Sequence, residues 1–580
     1  MTTTQKNFTA CFILSLCFIF KASAFQNFVT VSGKIDQHSE EEISVNLLDA
    51  VLDEEGRFSL EVPVEENENL SFYYRDFKLG LFAEPGDSIQ IYFNAHNPAK
   101  TVDFGGKNAS IQAFLFDQQQ VSKSFNAYFN RNINRVLARL PEAEFVQKTD
   151  SLKMTFLDPL DDLEKKEPNL NPAFVNNYRK DLELFFLSLL ADYPLLHYKT
   201  TGEKISLSEE SRNRIDNIDI TDLQLYRFDG FKRLLQNYLY LAINRELETG
   251  KYSASDNRRL DAGFRVIAEN FSDPEMFDRV LFGFFRNHIE NLGIKNTQDN
   301  YEVFMTKVSN PDYKEEIRSL YERNERDRKG HLIVPYKQIN GYSLDAHIFQ
   351  PVSLQKGKIY PVIAMFHGGS FFEGKPDWFF TSAKAYAKKG WVTVAVEYRV
   401  ADRHGNTLPE AISDGKSLVR FLRTNAEKFQ LDPNKILISG NSSGATIALA
   451  LATTGEILDE KNENRQISSR PNAVIVNAGL ADLREAGHWW QEDYTEEFIE
   501  NISPLNNADK DLPPMLIFHG TKDNSVDIES IRKFASLSKK SGNQVTLMEL
   551  EGAPHMIWRI PYFSRQMEEP KENFLSELNW

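Results

Sequence analysis

The chain has 580 residues, too many for a single hydrophobic core, so two or three domains are expected. A net charge of −16 makes nucleic acid and anionic membrane surfaces poor partners. Both cysteines, Cys11 and Cys17, fall within one N-terminal apolar run, which leaves no thiol for disulfides, thiol catalysis or cysteine–metal sites if that run is removed.

Residues 1–24 read as a cleaved secretory signal. Lys6 precedes the apolar run Ala10–Phe20, and Ala22-Ser23-Ala24 forms a small-x-small cleavage site. The run is too short to span a bilayer and nothing later replaces it, so no integral membrane segment is expected after cleavage. A buried first helix would explain the run but not its flanks. Loss of Lys6 and Lys21 takes the net charge from −16 to −18. Bulky Leu16 ahead of Cys17 disfavours lipid attachment there. The expected location is periplasmic or secreted.

Residues 25–104 read as a small β-sandwich. Val29–Ile35 and Ile43–Leu47 alternate, Asp53-Glu54-Glu55-Gly56 supplies a turn before Arg57–Val62, and Glu84-Pro85-Gly86-Asp87 precedes Ser88–Phe93. No cluster of catalytic residue types occurs here. Residues 105–330 change period. Ala173–Leu190, Asp222–Leu247, Arg258–Phe271 and Glu275–Leu292 carry apolar residues at helical spacing between charged faces. Phe185, Phe186, Phe282, Phe284 and Phe285 fit packing between helices better than a ligand stripe. The charged run Tyr321–Gly330 reads as a solvated helix end entering a linker.

Gly33-Lys34-Ile35, the Asp53–Leu60 hairpin, Glu84-Pro85-Gly86-Asp87 and Phe104-Gly105-Gly106-Lys107-Asn108-Ala109 resemble the front half of exported bacterial thioredoxin-like oxidoreductases. In those proteins a Cys-x-x-Cys domain follows. None follows here, so the resemblance implies an envelope-located accessory module without the redox activity.

Residues 331–580 alternate strand and helix. Leu332–Ile339 and Ser343–Phe349 form a hairpin about Asn340-Gly341. Strands Pro361–Phe366, Val392–Glu397, Ile436–Ser439, Ala473–Asn477, Met515–Phe518 and Val545–Leu550 follow, giving an eight-stranded, mostly parallel α/β sheet. At its centre Lys435–Ser439 runs into Gly440-Asn441-Ser442-Ser443-Gly444 and then a small-residue helical run. Strand, Gly-x-Ser-x-Gly and helix together are the context of a nucleophile elbow, with Ser442 lifted off the sheet.

Counted along this domain, His367-Gly368-Gly369 follows strand three, Ser442 strand five, Asp523 strand seven and His555 strand eight. That is the Ser, Asp, His order of an α/β-hydrolase. His555 would act as base and then acid, and Asp523 would orient it. Asp482 after strand six is the rival acid, and Asp527 is a weaker one that better starts a helix. His519 reads as a structural hydrogen-bonder. Adjacent Gly368 and Gly369 let bare N–H groups approach a substrate oxygen, and the Ser443 N–H would complete the oxyanion hole.

These motifs, with Glu397-Tyr398-Arg399, Leu418–Pro433, Ser503-Pro504 and Leu512-Pro513-Pro514, resemble the esterase/lipase group of α/β-hydrolases with a His-Gly-Gly loop, which includes hormone-sensitive-lipase-like and carbohydrate-esterase members. The resemblance implies Ser442, Asp523 and His555 as triad and Gly368, Gly369 and Ser443 as hole. The chain departs from it in His-Gly-Gly-Ser at the loop, Asn441 and Ser443 in the elbow, and Pro554-His555-Met556 around the base. The expected activity is a serine esterase acting on acyl esters of carbohydrates or small alcohols, with no cofactor and no metal. A serine peptidase of the prolyl-oligopeptidase-like type is the alternative, although residues 25–330 do not repeat like its β-propeller. A catalytically silent envelope binding module is the third reading. Trp489 and Trp490, between strands six and seven, are either helix packing or a substrate platform. Loop position tilts them slightly towards substrate.

Overall fold

The computed structural model describes residues 28–580 apart from 40, 41, 47, 65–67, 76, 133–135, 340, 488, 489, 492 and 493. The segment read as a signal, both cysteines, Asn340 of the hairpin turn and Trp489 lie outside the described residues. The chain divides into two compact units. One holds the described part of Met1–Tyr128 with Ser151–Lys180, the other Phe129–Asp150 with Asp181–Trp580. Helices of residues 105–330 contribute to both.

In the first unit, β1 (Phe28–Asp36), β2 (Glu42–Val45), β3 (Leu48–Val51), β4 (Arg57–Pro63), β5 (Glu68–Tyr74), β6 (Phe77–Ala83), β7 (Ser88–Asn94) and β8 (Asp103–Gly105) form two four-stranded sheets. Their orders are β4-β1-β7-β8 and β3-β2-β5-β6. Alternation puts Val29, Val31, Ile89, Ile91 and Phe93 with Leu70 and Phe72 in one shared core. Asn108 donates to Glu84 Oε2 (2.9 Å) and Asp87 Oδ2 (2.8 Å), joining two of the motifs singled out in the sequence.

The second unit carries β9 (Leu332–Ile339), β10 (Tyr342–Phe349), β11 (Tyr360–Phe366), β12 (Val392–Val396), β13 (Leu431–Asn441), β14 (Ala473–Asn477), β15 (Met515–Gly520) and β16 (Val545–Leu550). They form one eight-stranded sheet in the order β16-β15-β14-β13-β11-β12-β10-β9. Only the pairings of β9 with β10 and of β10 with β12 are antiparallel. Val392-Thr393-Val394-Ala395-Val396 is buried along its whole length, which is why the inner strands read as continuous apolar runs rather than alternating ones. Separate clusters cover the sheet, one around Ile412, Ile447 and Phe534 and the other around Phe380, Trp391 and Phe574. The helices Asp229–Glu248, Arg258–Asn270, Pro274–Leu292 and Pro311–Asp327 pack about their own core of Phe231, Leu260, Phe285 and Ile317. Phe285 is fully buried there, while Phe282 stacks on Tyr313 at 4.2 Å, so these aromatics pack helix against helix. No helix of the described residues is long and apolar enough to cross a membrane.

Candidate active site

Parallel register sets the site. Phe366, the last residue of β11, pairs with Gly440 of β13, and Asn441 pairs with Asn477 of β14. The loops after β11 and β13 therefore leave the sheet at one level. Ser442 sits between β13 and the helix Ser443–Thr453 with φ 53° and ψ −120°, a region side chains rarely occupy. The Asn477 carbonyl accepts its N–H at 2.9 Å and holds the turn. A Cβ at Gly440 would lie 2.2 Å from the Gly444 carbonyl carbon, and one at Gly444 would lie 2.1 Å from the Phe366 oxygen. Both glycines are required by close approach.

The structure brings Ser442, His555 and Asp523 together. Ser442 Oγ lies 2.9 Å from His555 Nε2, and His555 Nδ1 lies 2.7 Å from Asp523 Oδ2. The Asp523 side chain is buried. Burial opposes its ionisation, but hydrogen bonds from His519, His555 and the Val526 N–H outweigh it and hold the carboxyl well below the usual carboxylate range. The backbone N–H groups of Ser525 (2.9 Å) and Val526 (2.8 Å) donate to Oδ1, leaving Oδ2 for the histidine. His519 is a fully buried side chain whose Nε2 lies 3.1 Å from the Val526 carbonyl and 3.3 Å from Asp523 Oδ2, so it buttresses the acid. Asp482 instead faces Arg484 (2.7 Å), and Asp527 caps the helix Ile528–Lys540 through the Glu529 N–H.

On the other side of Ser442, a Cβ at Gly368 would come 3.2 Å from Ser442 Cβ, so the bare backbone after β11 abuts the elbow. Gly369 has φ +114°, and a Cβ there would meet the Glu373 oxygen at 2.0 Å. Ser443 opens its helix, where first-turn N–H groups have no intrahelical acceptor. Its hydroxyl lies 3.5 Å from that of Tyr398. His367 is buried and stacks on Tyr398 at 4.2 Å, and its carbonyl accepts the Tyr398 hydroxyl at 2.8 Å.

Of the two tryptophans between β14 and β15, Trp490 is completely buried in the core beside the sheet, with its ring 6.0 Å from Tyr494. It is the packing residue of the two readings, a correction to the substrate platform expected for it. Its indole N–H meets no acceptor among the described residues. Exposed aromatic surface near the site comes from residues that the sequence did not single out. Trp378 is 36% exposed with its ring 6.0 Å from His367, Trp558 lies 5.6 Å from His555, and the Arg559 guanidinium sits 5.7 Å from the centre of the Trp378 ring. Nothing local marked Trp378, since it lies 64 residues before Ser442 in a short 3₁₀ turn.

Buried histidines make the unit acid-sensitive. Burial pushes His367 down to about 4 against the favourable Gly368 carbonyl. Burial reinforced by Arg403 takes His288 to about 3, and burial reinforced by Arg328 takes His347 to about 3. Each binds its proton more weakly folded than unfolded. Stability is therefore full above about pH 6.5, the unfolded value, and falls as the pH drops towards the folded ones. The melting temperature should decline steadily between about pH 6.5 and 4.5, before most unfolded carboxylates titrate. A flat melting temperature across that window in a buffer-matched calorimetric series would refute this.

Residues 347–537 match the BD-FAE family. Esterase LipC of Mycobacterium tuberculosis is 28% identical over 220 residues, which are 34% of this chain and 52% of that protein. The probable isoprenylcysteine alpha-carbonyl methylesterase ICMEL1 of Arabidopsis thaliana is 23% identical over 217 residues, 34% of this chain and 45% of that protein. The chain thus spans about half the length of the curated relatives it matches. A solved structure of Thermogutta terrifontis esterase 2 aligns at 32% identity over 43% of this chain and 95% of that one, with a TM-score of 0.41. LipC and ICMEL1 are named as esterases, and carboxylic ester hydrolysis is the chemistry they support for this α/β domain.

Proposed function

We propose that the protein is an exported serine esterase that works through an acyl-enzyme on Ser442. The observation that carries the reading is the unbroken chain from Ser442 Oγ to His555 (2.9 Å) to Asp523 (2.7 Å). His555 Nε2 takes the Ser442 proton as Oγ attacks the ester carbonyl, then gives it to the departing alkoxide, which leaves as the alcohol. Asp523, accepting from Nδ1–H, fixes the tautomer and stabilises the imidazolium. The Ser443 N–H and the Gly368 and Gly369 N–H groups receive the oxyanion. Water, deprotonated by the same histidine, then attacks the acyl carbonyl, releases the acid and restores Ser442.

Acyl esters of carbohydrates are the preferred substrates. Trp378 supports this choice, because a partly exposed indole beside the oxyanion loop, with Arg559 over its ring, can supply aromatic contact to a sugar or acyl group. Export to the periplasm or medium rests on the flanked apolar run of residues 1–24. Purified protein should hydrolyse acetylated or aryl-acylated sugars and small p-nitrophenyl esters. Trp378→Ala should lower kcat/KM on the bulky ester about tenfold more than on p-nitrophenyl acetate. Equal losses on both, or no turnover of any ester in the panel, would count against the proposal.

A further inference from the structure

The loop after β11 is strained, and the strain is held from outside. Gly369, Ser370 and Phe371 take φ of 114°, 55° and 67° in succession, a run that persists only where surrounding contacts over-determine it. Part of the restraint is internal, with the Phe372 and Glu373 N–H groups donating to the Gly369 carbonyl. The rest comes from the helices between residues 256 and 324 of the same compact unit.

One hold is direct. The Gly374 N–H donates to the Asn291 carbonyl at 3.0 Å, in the last turn of the helix Pro274–Leu292. The Lys375 ammonium donates to the Ile289 carbonyl at 3.0 Å and to Asn324 Oδ1 at 2.8 Å. The Ile289 carbonyl also accepts the Gly293 N–H at 3.2 Å, and the negative end of the helix dipole favours a cation, so this end is a natural seat for an ammonium. Asn324 is buried in the helix Pro311–Asp327 and is itself fixed by donating Nδ2–H to the Leu320 carbonyl at 2.8 Å.

The second hold runs through the short helix Ala401–His404. Its Ala401 and Asp402 N–H groups donate to the Phe371 carbonyl (2.8 Å) and the Phe372 carbonyl (3.0 Å). Buried Arg403 then pins that helix to Asp256 (2.6 Å) and Asn257 (3.1 Å) from the helical region and to Glu397 (2.7 Å) at the end of β12. Between the two holds, Gly374 presses so closely on His367 that a Cβ would lie 2.1 Å from its Nδ1. His367 leads directly into Gly368, the residue that abuts Ser442.

We infer that the helical segment from Asp256 to Asn324 is the clamp that sets the oxyanion loop, with Lys375 and Asn324 as positioning residues. This rests on the serine-esterase reading above. An oxyanion hole contributes through donors fixed before the reaction, and a displacement of about 1 Å is enough to lose roughly a hundredfold in rate. Loosening the clamp therefore weakens tetrahedral species selectively and leaves ground-state binding intact.

The test uses the full chain with p-nitrophenyl butyrate as substrate. An alkyl trifluoromethyl ketone, which forms a tetrahedral adduct, and butyrate, which does not, serve as inhibitors. Lys375→Met and Asn324→Leu should lower kcat about tenfold to a hundredfold with KM within about twofold. They should weaken the ketone by the same factor and leave butyrate inhibition unchanged. Asn324→Asp, which keeps an acceptor for the ammonium but loses the Nδ2–H bond to the Leu320 carbonyl, should retain clearly more kcat and ketone affinity than Asn324→Leu. If Lys375→Met does not fold, the contrast between Asn324→Leu and Asn324→Asp decides. Folded variants with parental kcat and ketone affinity would overturn the clamp. So would parallel losses in ketone affinity, butyrate affinity and melting temperature, which mark general destabilisation. Failure of the esterase reading looks different, because the parent protein itself would neither turn over the ester nor bind the ketone.

Discussion

Replacing Ser442 with alanine is expected to abolish ester turnover, by about 10⁶-fold in kcat, the order that loss of a serine nucleophile costs. The fold should survive. The elbow is set by Gly440, Gly444 and the 2.9 Å bond from the Ser442 N–H to Asn477, none of which involves the hydroxyl. Alanine still has to adopt φ near 53°, as serine does, so the strain is unchanged. The neighbouring hydroxyl offers a sharp control. Ser443 Oγ lies 3.5 Å from the Tyr398 hydroxyl, on the buried side of the turn, so Ser443→Ala should keep much of its activity through the backbone N–H. An active Ser442→Ala beside a dead Ser443→Ala would place the nucleophile one residue later.

The second large effect concerns the acid. Asp523→Asn should lower turnover by roughly 10³ to 10⁴, because an amide facing His555 Nδ1 favours the wrong tautomer. The loss should be kinetic more than structural, although the amide also changes the hydrogen bonding around His519, whose Nε2 lies 3.3 Å from Asp523 Oδ2. Asp482→Asn weakens a pairing between buried Asp482 and half-exposed Arg484, away from His555, and should cost less than about tenfold in turnover. Steady-state kinetics on one small ester separates the two, and the reverse ranking would move the acid to the end of β14.

How far the site could be read from the chain depended on whether its determinants were local. The elbow was legible because its steric demands fall within five consecutive residues, Gly440 to Gly444. The inner strands were legible because buried parallel strands are mostly apolar, as Val392–Val396 is apart from Thr393, and the chain order placed Asp523 after β15 and His555 after β16. The expectation of substrate contact for Trp490, which is buried, reflects the opposite case. An indole contributes large contact area in a core or at a surface, and only the fold around it decides. The clamp was invisible for the same reason. Lys375 and Asn324 are 51 positions apart, and Arg403 and Asp256 are 147 apart. Periodicity marked Glu275–Leu292 as a helix without indicating that its last turn would receive the oxyanion loop.

Trapping the acyl-enzyme tests the central claim most directly. The protein would be incubated with an aryl ester at low pH or with a fluorophosphonate, then digested and its peptides weighed by mass spectrometry. One adduct per chain is predicted, on the peptide containing Ser442, absent from Ser442→Ala and formed far more slowly in Asp523→Asn. Stoichiometric label on any other residue, or ester turnover that persists with Ser442 unlabelled, would contradict the account.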